Sequence, residues 1–508
     1  MKVMKFGGSS VANAENIRKV ADIVRDARGD RSIVVLSAMQ GTTDALIDAG
    51  KTAESGDESF REKIHAIEVR HIDAIRELIP ESSAQPISEF VMDSIRELTR
   101  VCEGVFLLGE LSPRSLDNIL SFGELLSTKI TSAAFAASGI ENQWTDSREL
   151  IYTDSNFGFA AVDFAVTNKQ IEQYTSASTT KVHILPGFIA SDAAGNTTTL
   201  GRGGSDYTAA ILAAAVDAAV LEIWTDVSGM MTADPRFVRN VRQIPRITYR
   251  EAMELSHFGA KVIYPPTIQP VMAKKIPVLV KNTFVPTDAG TLIESESEEG
   301  KEIIRGITSI DKIAVLSLEG SGMVGIPGFS KRLFDALSRA QINVILITQS
   351  SSEHSICAAV EDKYAARAKR VVDSEFEHEI AVGRIEPLKA EIGFSILALV
   401  GDNMKSHTGI SGRMFSVLGQ NGINITAIAQ GSSERNISAV IRSDDVRKAV
   451  NTLHEEFFSD GKKQVNVYIA GIGTVGSKLI EQIRQQKEYL SENLRLNVRV
   501  VGVANSKR

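Results

Sequence analysis

Short apolar runs alternate with amphipathic stretches through the first part of the chain, the pattern of a layered α/β structure. VMKF (3–6) reads as a strand, GGSS as the turn that follows, and NAENIRKVADIVRDA as a helix with Ile17, Val20, Ile23 and Val24 on one face. SIVVLSA (32–38) predicts a second buried strand, and residues 45–140 read as a mostly helical, polar-faced insertion. Further strands are expected at HILPGFIA (183–190) and AVLEIWTDV (219–227), separated by a glycine-rich loop and an alanine-rich helix. IESESEEGKEIIRG (293–306) is acidic and aperiodic, and is read as a linker.

Beyond the linker the sequence repeats itself. GFSKRLFDALSRAQINVILITQSSSE from Gly328 matches GISGRMFSVLGQNGINITAIAQGSSE from Gly409, with Phe334/Phe415, Asn343/Asn424, Gln349/Gln430 and Glu353/Glu434 at a constant offset of 81. Each copy reads strand, turn, helix, strand, then a Ser-rich turn before another strand, so two copies of one small α/β unit are expected. Asn343 and Asn424 are expected to begin the strands that lead to Gln349 and Gln430. A last strand–turn–helix–strand begins near Gln464.

Length and charge narrow the class. At 508 residues the chain needs several cores, and its 56 basic and 63 acidic residues leave a net charge of −7 with no basic block. A nucleic-acid surface is therefore not expected. Cys102 and Cys357 are the only cysteines and have no CxxC partner, which argues against a thiolate metal site or disulfide framework and fits a reducing, cytoplasmic setting. No apolar run is long enough to span a bilayer, so no membrane partner is expected.

Four segments carry candidate chemistry. In TLGRGGSDYTAAILAAAV (199–216), glycines and Arg202 stand directly before an alanine-rich helix that opens with Ser205 and Asp206. Converging backbone N–H groups and a helix N-terminus suit an anion, and the guanidinium suits a carboxylate or phosphate; the bland alternative is Ser205 capping the helix. In KFGGSS (5–10), Lys5 leaves a strand beside Gly7 and Gly8, without the spacing of a Walker A loop. WTDVSGMMTADPR (224–236) and FGAKVIYPPTI (258–268) are ordinary turn and helix chemistry when read alone.

Together KFGGSS, VLSAMQGTTD, SFGELLS, TLGRGGSDYTAA, WTDVSGMMTADPR and FGAKVIYPPTI resemble the aspartokinase family over most of residues 1–293. The resemblance implies an amino-acid-kinase (carbamate-kinase-like) α/β fold, aspartate as acceptor and ATP with Mg²⁺ as donor, with no metal ligands assigned to protein side chains. It implies that Lys5, Phe6, Gly7, Gly8 and Ser9 lie on the phosphates and that Thr225, Asp226, Met231, Asp234, Arg236 and Lys261 border the nucleotide. Met231 stands where the family often has Tyr, so sulfur would replace ring contact with adenine. Ser37, Thr43, Glu124, Arg202 and Ser205 would hold aspartate, and Lys5, Asp206 and Lys261 would serve catalysis. A kinase of the glutamate type, or a non-catalytic amino-acid sensor, is the alternative.

The repeats resemble ACT domains, ferredoxin-like modules that pair and bind amino acids. LITQSSSE and ITAIAQGSSE resemble the form in threonine-sensitive proteins of the bifunctional aspartokinase/homoserine dehydrogenase type. Threonine is thus the expected effector, with Asn343, Ile347, Gln349, Asn424, Ile428 and Gln430 as its contacts, and a homodimer is the expected assembly. VNVYIAGIGTVGSKLIEQI (465–483) is a GxGxxG turn with strand and helix flanks, resembling the start of a homoserine dehydrogenase. Gly471, Ile472, Gly473, Thr474, Val475 and Gly476, with Asn505 and Arg508 after the second strand, would favour NADP, but only one βαβ unit of an incomplete domain is expected. The expected layout is a kinase domain at 1–293, a linker at 294–307, ACT units at 308–385 and 386–460, and the incomplete nucleotide-binding unit at 464–508.

Overall fold

The computed structural model describes residues 1–27, 31–259, 263–296, 303–349, 354–402, 404, 407–430, 435–458 and 463–505. The chain forms two compact units, one of residues 1–231 and 243–302, the other of residues 232–242 and 303–508.

In the first unit, strands β1 (Lys2–Phe6), β2 (Ser32–Leu36), β3 (Asn142–Trp144), β5 (Val182–Pro186), β8 (Leu221–Thr225), β9 (Arg246–Thr248), β10 (Val278–Asn282) and β11 (Thr291–Glu294) form one sheet in the order β3-β5-β2-β1-β8-β10-β11-β9. A small second sheet joins β4 (Tyr152–Thr153), β6 (Ile189–Asp192) and β7 (Thr197–Thr199). β1, β2, β5 and β8 pair in parallel, and the fully buried SIVVL of β2 is the continuous apolar run that a two-sided strand requires. Helices α1 (Ala14–Asp26), α2 (Thr42–Glu54), α3 (Phe60–Leu78), α4 (Glu81–Leu108), α5 (Pro113–Ala137), α6 (Phe164–Ala177), α7 (Gly204–Ala215), α8 (Tyr249–His257) and α9 (Gln269–Lys274) complete it. α1 starts where the Asn13 side chain accepts the Asn16 amide, and its apolar face, including Ile17, Val20, Ile23 and Val24, is buried. α5 is the central helix: Ser112 caps it, Pro113 occupies its first position, and most of its length is buried.

One expected strand is two. HILPGFIA divides at Gly187–Phe188 into β5 and β6, which belong to different sheets. Phe188 holds φ at 69°, in the left-handed region a bulky residue rarely adopts, and a Cβ on Gly187 would lie 2.5 Å from that of Ser205. The chain turns there to let α7 approach.

The second unit contains β12 (Gly306–Glu319), α10 (Phe329–Arg339), β13 (Leu346–Gln349), β14 (Ser355–Glu361), α11 (Ala365–Glu375), α12 (Glu377–Ala381), β15 (Lys389–Val400), α13 (Ile410–Gln420), β16 (Ala427–Gln430), β17 (Asn436–Arg442) and α14 (Val446–Phe458). The repeat survives in the element bounds, since α10, β13 and β14 reappear as α13, β16 and β17 at an offset of 81. One six-stranded antiparallel sheet in the order β13-β14-β12-β15-β17-β16 joins the two copies. Asn343 and Asn424 do not begin strands: both are exposed and precede β13 and β16, because the edge strands pair only from Leu346 and Ala427 onward. The expected linker lies partly outside the described residues, and its last part is structured, with Ile304 and Ile307 buried in the core of the second copy. β18 (Lys463–Ala470), α15 (Thr474–Gln485), α16 (Lys487–Glu492) and β19 (Leu496–Ala504) form a separate parallel βαβ unit.

Candidate active site

The parallel strands β5, β2, β1 and β8 end together, and crevices at the carboxyl edge of such sheets are where open α/β folds bind ligands. After Phe6 the chain enters a short 3₁₀ turn, Gly8–Val11, and the Gly7 amide donates to the Trp224 carbonyl at 3.2 Å. A Cβ on Gly8 would stand 3.0 Å from the Ala38 carbonyl oxygen, so the turns after β1 and β2 meet backbone to backbone. A Cβ on Gly7 would stand 3.6 Å from the Lys5 ammonium, in space a phosphate needs to reach that charge. The residues present therefore fit a phosphoryl group.

Lys5 is nearly buried, and its Nζ lies 2.7 Å from Asp206 Oδ1 in the first turn of α7. That oxygen has no aligned hydrogen bond, so charge alone holds the pair. The two glycine turns singled out in the sequence thus converge on one ion pair. Gly203, at φ 72°, directly precedes α7 at its N-cap position, and a Cβ there would strike Tyr264 at 2.6 Å. Ser205 does not cap the helix; its hydroxyl stays available on the first turn. Arg202 is exposed, makes no ion pair among the described residues, and has its guanidinium 6.0 Å from the ring centre of Tyr264.

Glu124 on α5 is buried. Its Oε1 accepts the Ala38 amide at 3.3 Å, while Oε2 has no hydrogen-bond partner. Burial pushes this carboxyl up to about 8, with hydrogen bonds from the backbone amides of Ala38 and of Glu124 itself opposing the shift. An unpaired buried carboxyl oxygen is costly and awaits a donor. Gly123 permits this arrangement, because a Cβ there would meet that of Ala38 at 3.0 Å. Ser37, at the end of β2, donates its amide to Phe6 at 3.2 Å, and Thr43 is half-buried in the first turn of α2.

The predicted nucleotide border divides. Thr225 and Asp226 close β8, with the Thr225 hydroxyl 3.1 Å from the Asp226 carboxylate, and Met231 is half-buried opposite Gln243. Asp234 and Arg236 lie in the second unit and bind each other bidentately, at 3.0 and 2.9 Å from the Arg236 Nε. Lys261 lies outside the described residues, as does Arg508. No group of three or more His, Cys, Asp or Glu side chains fit to hold a metal occurs among the described residues. None of their helices is long and apolar enough to cross a membrane.

In the second unit Gln349 lines a cavity of about 300 Å³ with residues of the turn and first helical positions from Gly325 to Ser330 and with Ile356. Its repeat mate Gln430 instead accepts a hydrogen bond from Ser411 at 3.2 Å. Ile347 and Ile428 are exposed large side chains on the two edge strands. In the βαβ unit, Gly471 holds φ at 99° and a Cβ on Gly476 would strike the Gly471 carbonyl at 1.9 Å, so helix and turn are tightly apposed. Ile472, Gly473, Thr474, Val475 and Asn505 are exposed around that turn.

Sequence reasoning missed two residues. Phe188, strained beside Ser205, carried no signal beyond the glycine before it. Asp117 did carry one, for with Ser121, Glu124 and Thr128 it forms a polar stripe at helical spacing along α5, all of it buried.

Comparison with known proteins decides the family. The amino acid kinase family model matches residues 1–282, and aspartokinase 1 of Arabidopsis thaliana is 32% identical over 475 residues, 90% of this chain and 80% of that one. The chain belongs to the aspartokinases, within the amino acid kinase family. Aspartokinase III of E. coli, solved in complex with aspartate and ADP, superposes with a TM-score of 0.77 at 33% identity, covering 90% of this chain and 100% of that one. The ACT domain model matches residues 316–376 and 397–457, one match in each repeat. The bifunctional aspartokinase/homoserine dehydrogenase of Haemophilus influenzae is 39% identical over 516 residues. All of this aspartokinase chain aligns to it, but the match spans only 62% of that relative's length.

Proposed function

We propose that this chain transfers the γ-phosphoryl group of ATP, with Mg²⁺, to the β-carboxylate of L-aspartate. The observation that carries this reading is the Lys5–Asp206 pair at 2.7 Å, set between two glycine turns at the carboxyl edge of a parallel sheet. The acceptor oxygen is already anionic at neutral pH and needs no general base. The task is to hold it against a triphosphate that repels it, so charge neutralisation and positioning supply the rate. Lys5, released from Asp206, would neutralise the transferring group, and the amides of Gly8 and Ser9 would donate to phosphate oxygens. Arg202 and Glu124 suit the α-carboxylate and α-ammonium of the acceptor. Thr225, Asp226 and Met231 are the proposed nucleotide border in the first unit, and Lys261, Asp234 and Arg236 complete the assignment by resemblance alone.

Residues 1–293 are assigned the kinase reaction, and 308–385 and 386–460 amino-acid sensing. Threonine is the proposed inhibitor, supported by the cavity at Gln349, and pairing of ACT units between two copies the proposed assembly. Aspartokinase III of E. coli has also been solved in complex with lysine and aspartate, which makes lysine the second effector to test. The βαβ unit suits a dinucleotide such as NADP, without a dehydrogenase reaction assigned to it.

Hydroxylamine trapping of an acyl phosphate in the presence of ATP, Mg²⁺ and aspartate tests the reaction, repeated with threonine and with lysine. Aspartyl hydroxamate should form, and Lys5→Ala should lower turnover at least a hundredfold while changing the aspartate KM little. Absence of hydroxamate with aspartate but formation with glutamate would replace the assignment with its alternative.

A further inference from the structure

The buried polar stripe of α5 is mostly explained locally. Ser121 donates to the Asn118 carbonyl at 2.7 Å, Thr128 to that of Glu124 at 2.8 Å, and Glu124 accepts the Ala38 amide at 3.3 Å. Asp117 alone reaches two other segments. Its Oδ2 accepts the amides of Gly158 and Thr199, each at 2.9 Å, and its Oδ1 accepts the Thr199 hydroxyl at 2.8 Å. The residue is only 1% exposed, and burial raises its carboxyl, against the three bonds that favour the anion.

Both partners lead to the same loop. Thr199 ends β7, three residues before Arg202. The Gly158 turn lies against the other side of that loop: the Ala160 amide donates to Thr199 at 3.0 Å, and a Cβ on Gly201, at φ 71°, would lie 2.4 Å from Phe159 Cδ2. An Asp at this depth with no ion pair among the described residues is a poor choice for stability alone. It sits two helical turns from Glu124 on one rigid element.

Resting on the function proposed above, we propose that Asp117 is a positioning residue for acceptor recognition. By tying Gly158 and Thr199 to the helix that carries Glu124, it sets the spacing between the Arg202 guanidinium and the Glu124 carboxyl. That spacing selects a ligand with an α-carboxylate and an α-ammonium. A one-ångström error in such a pair of charged contacts costs affinity and leaves the nucleotide side untouched.

Steady-state kinetics on the full chain separate this role from a structural one. Asp117→Ala should raise the aspartate KM at least tenfold with the ATP KM within twofold of the parent. Asp117→Asn, whose oxygen accepts both amides while its NH₂ faces the Thr199 hydroxyl, should recover most of that loss. Thr199→Val, nearly isosteric, removes one of the three bonds and should raise the aspartate KM about threefold to tenfold. Parallel losses in both substrates, or an aspartate KM unmoved in Thr199→Val, would overturn the proposal; if Asp117→Ala does not fold, Thr199→Val decides it. A parent chain inactive on aspartate would refute the kinase assignment instead, and calorimetric titration of aspartate into parent and Thr199→Val would then read the positioning role.

Discussion

Glu124 is protonated at neutral pH when the acceptor is absent, because burial lifts its carboxyl to about 8. An incoming α-ammonium requires the carboxylate, so binding at pH 7 must expel a proton. The aspartate KM should therefore fall as pH rises from 6 to 8, and calorimetry in buffers of different ionisation enthalpy should register release of up to one proton. Glu124→Gln should abolish both effects and weaken aspartate by about 10- to 100-fold, the range for a lost charged hydrogen bond. At this scale the sequence was legible where chemistry announced itself. Lys5 and Arg202 stood out because glycines surrounded them. Asp117 was passed over because a polar stripe along a long helix usually faces solvent, whereas this one is buried, Asp117 included. Phe188 was hidden because its left-handed backbone is imposed by the approach of α7, a tertiary cause with no local pattern.

Elements were read most accurately where local pattern and tertiary packing agreed. The repeat predicted paired helices and strands, and the offset of 81 holds to the residue in α10/α13, β13/β16 and β14/β17. It also invited equal roles for Gln349 and Gln430, which the surroundings do not support. Gln430 spends its carbonyl on Ser411, whereas Gln349 opens on a cavity of about 300 Å³. Gln349→Ala is expected to weaken threonine binding about tenfold, one hydrogen bond's worth, and Gln430→Ala by less than threefold. Calorimetric titration of threonine into each variant checks the order, and a larger loss in Gln430→Ala would reverse it. Strand bounds failed at HILPGFIA, where apolar character continues across a break that belongs to the backbone.

Across the whole molecule, acid sensitivity is built into both units. His71 in α3 is fully buried, with Nδ1 2.7 Å from the Ile67 carbonyl and Nε2 unpartnered, and burial lowers it to about 4. His454 in α14 shares a 2.8 Å hydrogen bond with Thr232 and is likewise lowered by burial to about 4. A histidine held neutral in the fold binds protons more readily when unfolded. Its contribution is intact above the unfolded value of about 6.5 and is lost as pH falls towards 4, by up to about 3 kcal/mol for His71. The calorimetric Tm should drop between pH 7 and pH 4.5, and His71→Leu should show a smaller drop. The pairing of His454 with Thr232 belongs to the stretch 232–242, whose Ala233 and Val238 are buried in the core of the second repeat. The polypeptide consequently passes from one unit to the other three times, after residues 231, 242 and 302. No single cut in the chain yields two intact pieces. A fragment ending near 293 would keep an eleven-residue excursion stripped of the surface that covers it, so its solubility would report on that bare apolar strip more than on the catalytic fold.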